Sequence, residues 1–140
     1  MERKHDINRK TIFRRIIIVL AAFAVVIASE SRVYAASAYG SVGGGTASAN
    51  LSRSNLDATG STSKTVTDAG YVTVTVWFYF TYEDLSGVRH SASNSAYDEK
   101  GSSCSATAVG SGFKIMGLWA ESDHVASYYP DTWTKHLIQY

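Results

Sequence analysis

One stretch of the chain, residues 71–82, alternates with a two-residue period that no other long segment shows. Such a period is typical of a β-strand with one buried face. β-branched and aromatic residues fill nearly every position, which also favours a strand over a helix. We therefore predict a half-buried central strand. Its inward side chains are Val72, Val74, Val76, Phe78, Phe80 and Tyr82, and its outward side chains are Tyr71, Thr73, Thr75, Trp77, Tyr79 and Thr81.

The segment before this strand, residues 36–70, consists mostly of Ala, Ser, Thr and Gly. This composition suits either a disordered surface tether or an opening pair of small-residue strands. Because Ala47, Ala49 and Leu51 alternate with polar residues, we favour strands. Turn signals at residues 57–60 and 68–70 separate these strands from the central one.

The segment after the central strand shows further short strands. Residues 83–87 are a polar hairpin loop that ends in glycine, and residues 88–97 form the returning strand. We expect a turn at 98–101, a third small-residue strand at 103–109 and a mixed apolar strand at 113–120. The polar residues 121–124 are interpreted as a solvated loop. Residues 128–129 and 133–140 supply the last pieces, with a break at Pro130 and Asp131.

Six to eight short strands without an amphipathic helix indicate an all-β fold, an antiparallel β-sandwich. Small Ser and Ala faces opposite bulky Val and Phe faces allow two sheets to approach closely. The β-sandwich core is assigned to residues 71–140, and residues 36–140 are expected to form one domain.

The first 35 residues have the pattern of a secretory signal peptide that forms an N-terminal helix. Basic residues are followed by an apolar run at 16–28, and about thirteen residues are too few to span a bilayer of about 30 Å. A membrane anchor is the less favoured alternative. We place cleavage after Ala35, or alternatively after Ala38. The predicted protein is secreted or attached to the cell wall, and meets a membrane only through its leader before cleavage.

Removing the leader reverses the net charge. The chain has 13 Lys and Arg and 12 Asp and Glu, of which residues 1–35 hold seven and three, so 13 − 7 = 6 basic and 12 − 3 = 9 acidic residues remain. The remaining part is acidic and lacks the basic surface that neutralises phosphates, so we predict no nucleic-acid partner.

Cys104 is the single cysteine of the chain, and an intrachain disulfide is therefore impossible. We expect it to be a small buried residue of a Ser/Ala strand. A disulfide-linked dimer or a reactive thiol is the less favoured alternative.

The residues that carry catalytic or metal chemistry do not form a recognisable site in the sequence. His90, His124 and His136 lack the spacing of a zinc site, and the chain has no Gly-x-Ser-x-Gly motif. Glu121 and Asp123 beside His124 would make an acid/base pair, but we favour a solvated turn, because a polar loop after an apolar strand normally has this composition. We predict no catalytic residues, no metal and no cofactor, and hence a protein that is not an enzyme.

A ligand-binding surface is the more specific hypothesis. It consists of the outward residues Thr73, Thr75, Trp77, Tyr79 and Thr81 of the central strand. Aromatic rings stack on the apolar faces of sugars while hydroxyls exchange hydrogen bonds, so the row suits glycans, or another sheet. The competing interpretation, which we favour from the sequence, is structural: the N-terminal strands or Trp133 cover Trp77 and Tyr79.

The C-terminal part of the sequence carries a resemblance. The segments Gly-Phe-Lys-Ile at 112–115, Ala-Glu-Ser-Asp-His-Val-Ala-Ser-Tyr at 120–128 and Thr-Trp-Thr at 132–134, with a terminal Tyr140, are similar to small exported β-rich proteins of Gram-positive bacteria. Residues 118–120 and 127–129 also loosely resemble lactococcin-type β-sandwich bacteriocins, which implies secretion and action at the cell envelope. The sequence thus predicts a secreted or surface-associated, non-enzymatic module that binds glycan or protein ligands of the envelope or the extracellular space. A bacteriocin-like antibacterial protein is the alternative, and a small secreted hydrolase is the least favoured.

Overall fold

The computed structural model describes residues 34–140, which form eight β-strands. The strands are β1 (Tyr34–Val42), β2 (Gly45–Arg53), β3 (Asp57–Lys64), β4 (Val72–Glu83), β5 (Arg89–Lys100), β6 (Ser103–Val109), β7 (Phe113–Tyr128) and β8 (Asp131–Gln139). The predicted signal peptide lies outside the described residues except for Tyr34 and Ala35, which begin β1. The described part of the chain contains no helix of the length and hydropathy needed to cross a membrane.

The strands form two four-stranded antiparallel sheets that pack face to face, which confirms the predicted all-β sandwich. One sheet has the order β1-β2-β3-β6, and the other has the order β5-β4-β7-β8. The segment at residues 36–70 thus supplies three strands of the first sheet. The predicted central strand is β4, which lies between β5 and β7.

Packing between the sheets follows from the alternation of side-chain size. On β4 the fully buried residues are Val72, Val74, Val76, Phe78 and Phe80. The buried residues of the opposite sheet that pack against them are mostly small, among them Ala47, Ala49, Ala58, Ala106 and Ala108. Gly60 of the first sheet faces β4, and a Cβ added to it would lie 2.6 Å from Cγ2 of Val76. Large side chains from one sheet thus fill the space that small residues leave on the other.

Three predictions about strands and turns are wrong. The segment 36–70 contributes three strands instead of an opening pair, because residues 57–60, predicted as a turn, begin β3 and pair with β2 and β6. Strand β5 continues to Lys100, because Asp98 and Glu99 pair with β4 instead of turning. The carboxylate of Asp98 also accepts the backbone N–H of Ser105, which satisfies a polar group that would otherwise favour a solvated turn.

The segment 121–124, predicted as a solvated loop, lies inside the 16-residue strand β7. It pairs with β4 on one side and β8 on the other, so its backbone groups are satisfied within the sheet. Ser122 and His124 point into the core, and Glu121 and Asp123 point away from it.

His124 is only 1% exposed, and both of its ring nitrogens have partners. Nδ1 lies 2.7 Å from Oγ1 of Thr62, and Nε2 lies 2.7 Å from Oγ of Ser122. The Thr62 hydroxyl donates to the carbonyl of Thr73 at 2.8 Å, so it must accept the hydrogen bond from Nδ1–H. Ser122 then donates to Nε2. The ring is therefore a neutral, fully hydrogen-bonded link between the two sheets.

Candidate functional site

The outward row of β4 lies on the outer face of the sheet β5-β4-β7-β8. Its five residues are half-buried because strands flank them on both sides. Within residues 34–140 the sheet β1-β2-β3-β6 packs against the other face, so it does not cover this row. Trp133 does not cover it either. It pairs with the buried Ala126, packs against the core, and lies against Gly40 of β1.

A stack of aromatic rings crosses the outer face from β4 to the end of the chain. The rings of Tyr79 and Trp119, which pair across β4 and β7, are parallel to within 4° with their centroids 3.8 Å apart. Tyr140 continues the stack beyond Trp119 at 6.4 Å. The rings therefore stand upright on the sheet, and Trp119 covers one face of Tyr79.

The other face of the Tyr79 ring points towards β5, where the side chains are small. Ser93 is directly opposite Tyr79, and Ser91 and Ser95 pair with Thr81 and Trp77. All three serines are exposed. The uncovered face of the Tyr79 ring and the neighbouring row of serine hydroxyls thus form one accessible surface.

Two carboxylates and a histidine lie on the other side of the aromatic stack. The Tyr79 hydroxyl donates to Oε1 of Glu121 at 2.8 Å, and this bond raises the pKa of Tyr79 above its ordinary value. His136 of β8 lies between the two acids, with Nδ1 at 2.7 Å from Oδ1 of Asp123 and Nε2 at 3.7 Å from Oε2 of Glu121.

One of the two carboxylates, Asp123, borders a shallow depression on the surface. The depression between β7 and β8 is lined by Asp123, Val125, Thr134 and His136. The side chain of Asp123 remains more than half exposed beside His136. Among residues 34–140, no three or more His, Cys, Asp and Glu side chains are arranged to hold a metal ion.

The acid/base arrangement considered from the sequence does not form. Asp123 and His124 are neighbours in a strand and therefore point to opposite faces. The partner of Asp123 is instead His136, thirteen residues further along the chain. Cys104 is buried on β6, and its burial raises the pKa of its thiol. Both ring nitrogens of His124 are hydrogen-bonded to hydroxyls, so this histidine is not placed to activate the Cys104 thiol, the reactive thiol considered from the sequence.

The sequence reasoning identified the β4 part of this surface and missed its neighbours. Trp119, Tyr140, Glu121, Asp123 and His136 join it through the pairing of β7 with β4 and β8. The sequence signal that could have found them is the alternation of residues 113–120. This alternation continues through the polar residues that follow, which indicates one long strand. The site is thus an open sheet face with an aromatic stack at its centre, serines on one side and carboxylates on the other.

Comparison of the chain with models of protein families, with curated proteins and with solved structures finds no match. The fold and this surface define a class, a two-sheet antiparallel β-sandwich with one open aromatic face.

Proposed function

We propose that the protein is a secreted or cell-surface-associated module that binds a glycan on this face and carries out no reaction there. The observation that supports the proposal most strongly is the upright ring of Tyr79. One of its faces is covered by Trp119, and the other lies over exposed serines within the described part of the chain. An aromatic ring that is fixed on one side and open on the other is suited to stacking against a sugar.

The chemistry of a pyranose ring matches the two halves of this surface. Its axial C–H groups form an apolar face that packs on an aromatic ring. Its hydroxyls both donate and accept, and they would exchange hydrogen bonds with Ser93 and Thr75 on one side and with Glu121 and Asp123 on the other. A protein ligand of the same face would need a larger dry apolar area, because interface cores are depleted of charged residues.

The rigidity of the site supports binding as well. Tyr79 is held by its stack with Trp119 and by its hydrogen bond to Glu121, so little side-chain freedom is lost when a ligand arrives. Both contacts lie on strands and not on loops. Most of the stacking energy between a sugar and the Tyr79 ring would therefore contribute to the binding affinity.

The direct test is co-sedimentation with peptidoglycan and with a panel of insoluble polysaccharides. We expect the protein to sediment with at least one of them, and Tyr79→Ala to weaken this binding by about 5- to 30-fold, the effect of about 1–2 kcal/mol. Tyr39→Ala is the matched control, because Tyr39 is 73% exposed on β1 of the other sheet. Urea unfolding of both variants shows whether each remains folded.

Two results would contradict the proposal. One is that no glycan in the panel retains the wild-type protein. The other is that a folded Tyr79→Ala variant binds as well as the wild type. Selective growth inhibition of Gram-positive cells without sedimentation on wall material would instead favour the bacteriocin-like alternative.

A further inference from the structure

Strand β5 is an edge strand of the sheet that carries the candidate site. Its twelve residues pair with β4 in one uninterrupted register, and among residues 34–140 no strand pairs with its other edge. Natural edge strands are usually kept from pairing by a short length, a proline, a bulge or a charge in the middle of the strand. Residues 91–97 contain no proline and no charged residue, so none of these features protects β5.

The sequence of β5 is complementary to itself when two copies of the strand run antiparallel with Asn94 opposite Asn94. Next to the centre, small side chains then face small side chains, and towards both ends arginine or histidine faces an acidic residue. The opposed pairs are Ser93 with Ser95, Ala92 with Ala96, Ser91 with Tyr97, His90 with Asp98, and Arg89 with Glu99. Because a twofold axis relates the two strands, every pair occurs twice.

The neighbouring registers lose this charge match. A twofold axis perpendicular to the sheet places residues of the same face opposite one another, so the axis passes through a residue of the strand. Centred one residue earlier, the pairing places Arg89 opposite Tyr97. Centred one residue later, it places His90 opposite Lys100. The register centred on Asn94 is therefore favoured over both neighbours.

The charged residues at the ends of β5 are accessible for these contacts. The Arg89 side chain is 58% exposed, and its distance to Glu83 of its own chain is 3.7 Å. Glu83 has a closer partner, Lys114 at 2.7 Å, so it stays paired when Arg89 contacts a second copy. Glu99 is exposed, and the Tyr97 hydroxyl binds one of its two carboxylate oxygens. The outer face of β5 thus offers one exposed charge of each sign.

Strand β6, the edge strand of the other sheet beside β5, differs because side chains of β5 bind its backbone. Nδ2 of Asn94 donates to the Val109 carbonyl at 2.6 Å, and the Asp98 carboxylate accepts the Ser105 N–H at 3.1 Å. Both backbone groups lie on the edge of β6 that β3 leaves unpaired. The edge of β6 is therefore partly covered within the chain.

The remaining edge strands do not match themselves as β5 does. Strand β8 has Lys135 at its midpoint, so two copies paired about this residue would place like charges opposite each other. Strand β1 contains no charged residue that would fix a register. Strand β6 is only seven residues long. Among the described strands, β5 is thus the edge best suited to pairing with its own copy.

We infer that two copies of this chain form a symmetric dimer by pairing β5 with β5 about Asn94. The pairing joins the two four-stranded sheets β5-β4-β7-β8 into one sheet of eight strands, with about ten backbone hydrogen bonds between the copies. Its main charge contact is Arg89 with Glu99 of the second copy, because Asp98 also binds Ser105 in its own chain. Each copy uses the same edge, so association ends at two copies.

The inference does not rest on glycan binding, but the dimer would enlarge the candidate site. Edge pairing leaves the outer face of the sheet open, and the serines of β5 would lie between the two Tyr79 rings. The two β4 strands would be three strand spacings apart, about 14 Å. One polymeric ligand would then contact two aromatic stacks, which raises its apparent affinity without a new kind of contact.

Sedimentation equilibrium of the protein at several concentrations is the test, and the wild type should form reversible dimers. Arg89→Glu places like charges opposite each other twice per dimer and should weaken dimerisation about tenfold or more. Arg89→Glu/Glu99→Arg restores opposite charges and should dimerise within about threefold of the wild type. Lys135→Glu is the matched control, because it changes the net charge equally on β8, and it should dimerise like the wild type.

A second measurement checks the register. In the inferred dimer residue 94 lies opposite its own copy, at a Cα–Cα distance that a disulfide spans, whereas the two copies of residue 91 are about 20 Å apart. Asn94→Cys should therefore form disulfide-linked dimers on mild oxidation much faster than Ser91→Cys. Cys104 is buried and is present in both variants. Both variants also retain Arg89 and Glu99, so this measurement remains decisive if a charge variant does not fold.

Three results would overturn the inference. One is a monomeric wild type, and another is crosslinking of Asn94→Cys that is no faster than that of Ser91→Cys. The third is self-association that is equal in the wild type and in a folded Arg89→Glu variant, because the contact would then lie outside β5. Tyr79→Ala should dimerise like the wild type, so this inference and the proposed glycan binding fail separately.

Discussion

The buried imidazole of His124 makes the stability of the sandwich depend on pH. The ring lies between the sheets, and its side-chain partners are the hydroxyls of Thr62 and Ser122. Burial lowers the pKa of His124 from 6.5 to about 4, because a charged imidazolium loses its hydration there. The nearby charge of Asp123 acts in the opposite direction and His136 acts in the same direction, both with smaller effect.

The sign and size of the effect follow from proton linkage. Between pH 6.5 and about 4 the unfolded chain binds a proton at this histidine and the folded chain does not. The free energy of unfolding therefore decreases as the pH falls, by about 1.4 kcal/mol per pH unit in that window. The full difference is about 3 kcal/mol, and about 2 kcal/mol of it is lost between pH 7 and 5.

The measurement is urea unfolding at several pH values from 7 to 5 for the wild type and for His124→Gln. The carboxamide can hydrogen-bond to the same hydroxyls and does not titrate, so the variant should lose less than about 0.5 kcal/mol over this range. His90→Gln is the control, because His90 is an exposed histidine paired with Asp84. It should keep the wild-type dependence.

The carboxylates whose pKa values are lowered do not affect stability over the measured range from pH 7 to 5. Partners hold the pKa values of Glu83, Asp84 and Asp98 below their ordinary values of 4.5, 3.8 and 3.8. Their contribution to stability is present above those values and is lost only as the pH falls further. A His124→Gln variant with the same slope as the wild type would refute the reasoning.

Two further predictions concern the space between the sheets. Gly60→Ala places a methyl group 2.6 Å from Cγ2 of Val76 and should reduce the free energy of unfolding by about 1–3 kcal/mol, whereas Gly101→Ala, whose added Cβ meets no atom within 4 Å, should change it by less than about 0.5 kcal/mol. Equal urea midpoints for the two variants would show that the sheets are not in close contact at Gly60. Cys104 is buried and the pKa of its thiol is raised, so a thiol reagent such as dithionitrobenzoate should label it only after unfolding. Rapid labelling of the folded protein would contradict its burial.

The sequence was most informative where apolar and polar residues contrast. In β4 every second residue is large and apolar, and both faces of this strand were predictable. Around Ser122 and His124 that contrast disappears, because a polar pair that satisfies its own hydrogen bonds occupies core positions. Composition alone therefore suggested a loop. The charged end of β5 was predicted as a turn for the same reason. The Asp98 carboxylate instead accepts the backbone N–H of Ser105 in the next strand, so the strand can continue.

The candidate site was only half predictable for a different reason. The outward residues of β4 are fixed by its own period, but the neighbours of Tyr79 depend on the register of β7. That register shifts at a bulge between the Tyr79 and Phe80 pairs, where Trp119 is followed in the pairing by Gly117. A bulge has no reliable signal in a single sequence. The contact of Tyr79 with Trp119 and the position of His136 therefore required the three-dimensional structure.

The measurement that tests glycan binding most directly is a chemical-shift map of ¹⁵N-labelled protein titrated with soluble fragments of a glycan that retains it. The account predicts that the largest shifts fall on the outer face of β4, on the serines of β5 around Ser93 and on the indole N–H of Trp119. Shifts confined to β1 and β2, or the same shifts in a folded Tyr79→Ala variant, would contradict it.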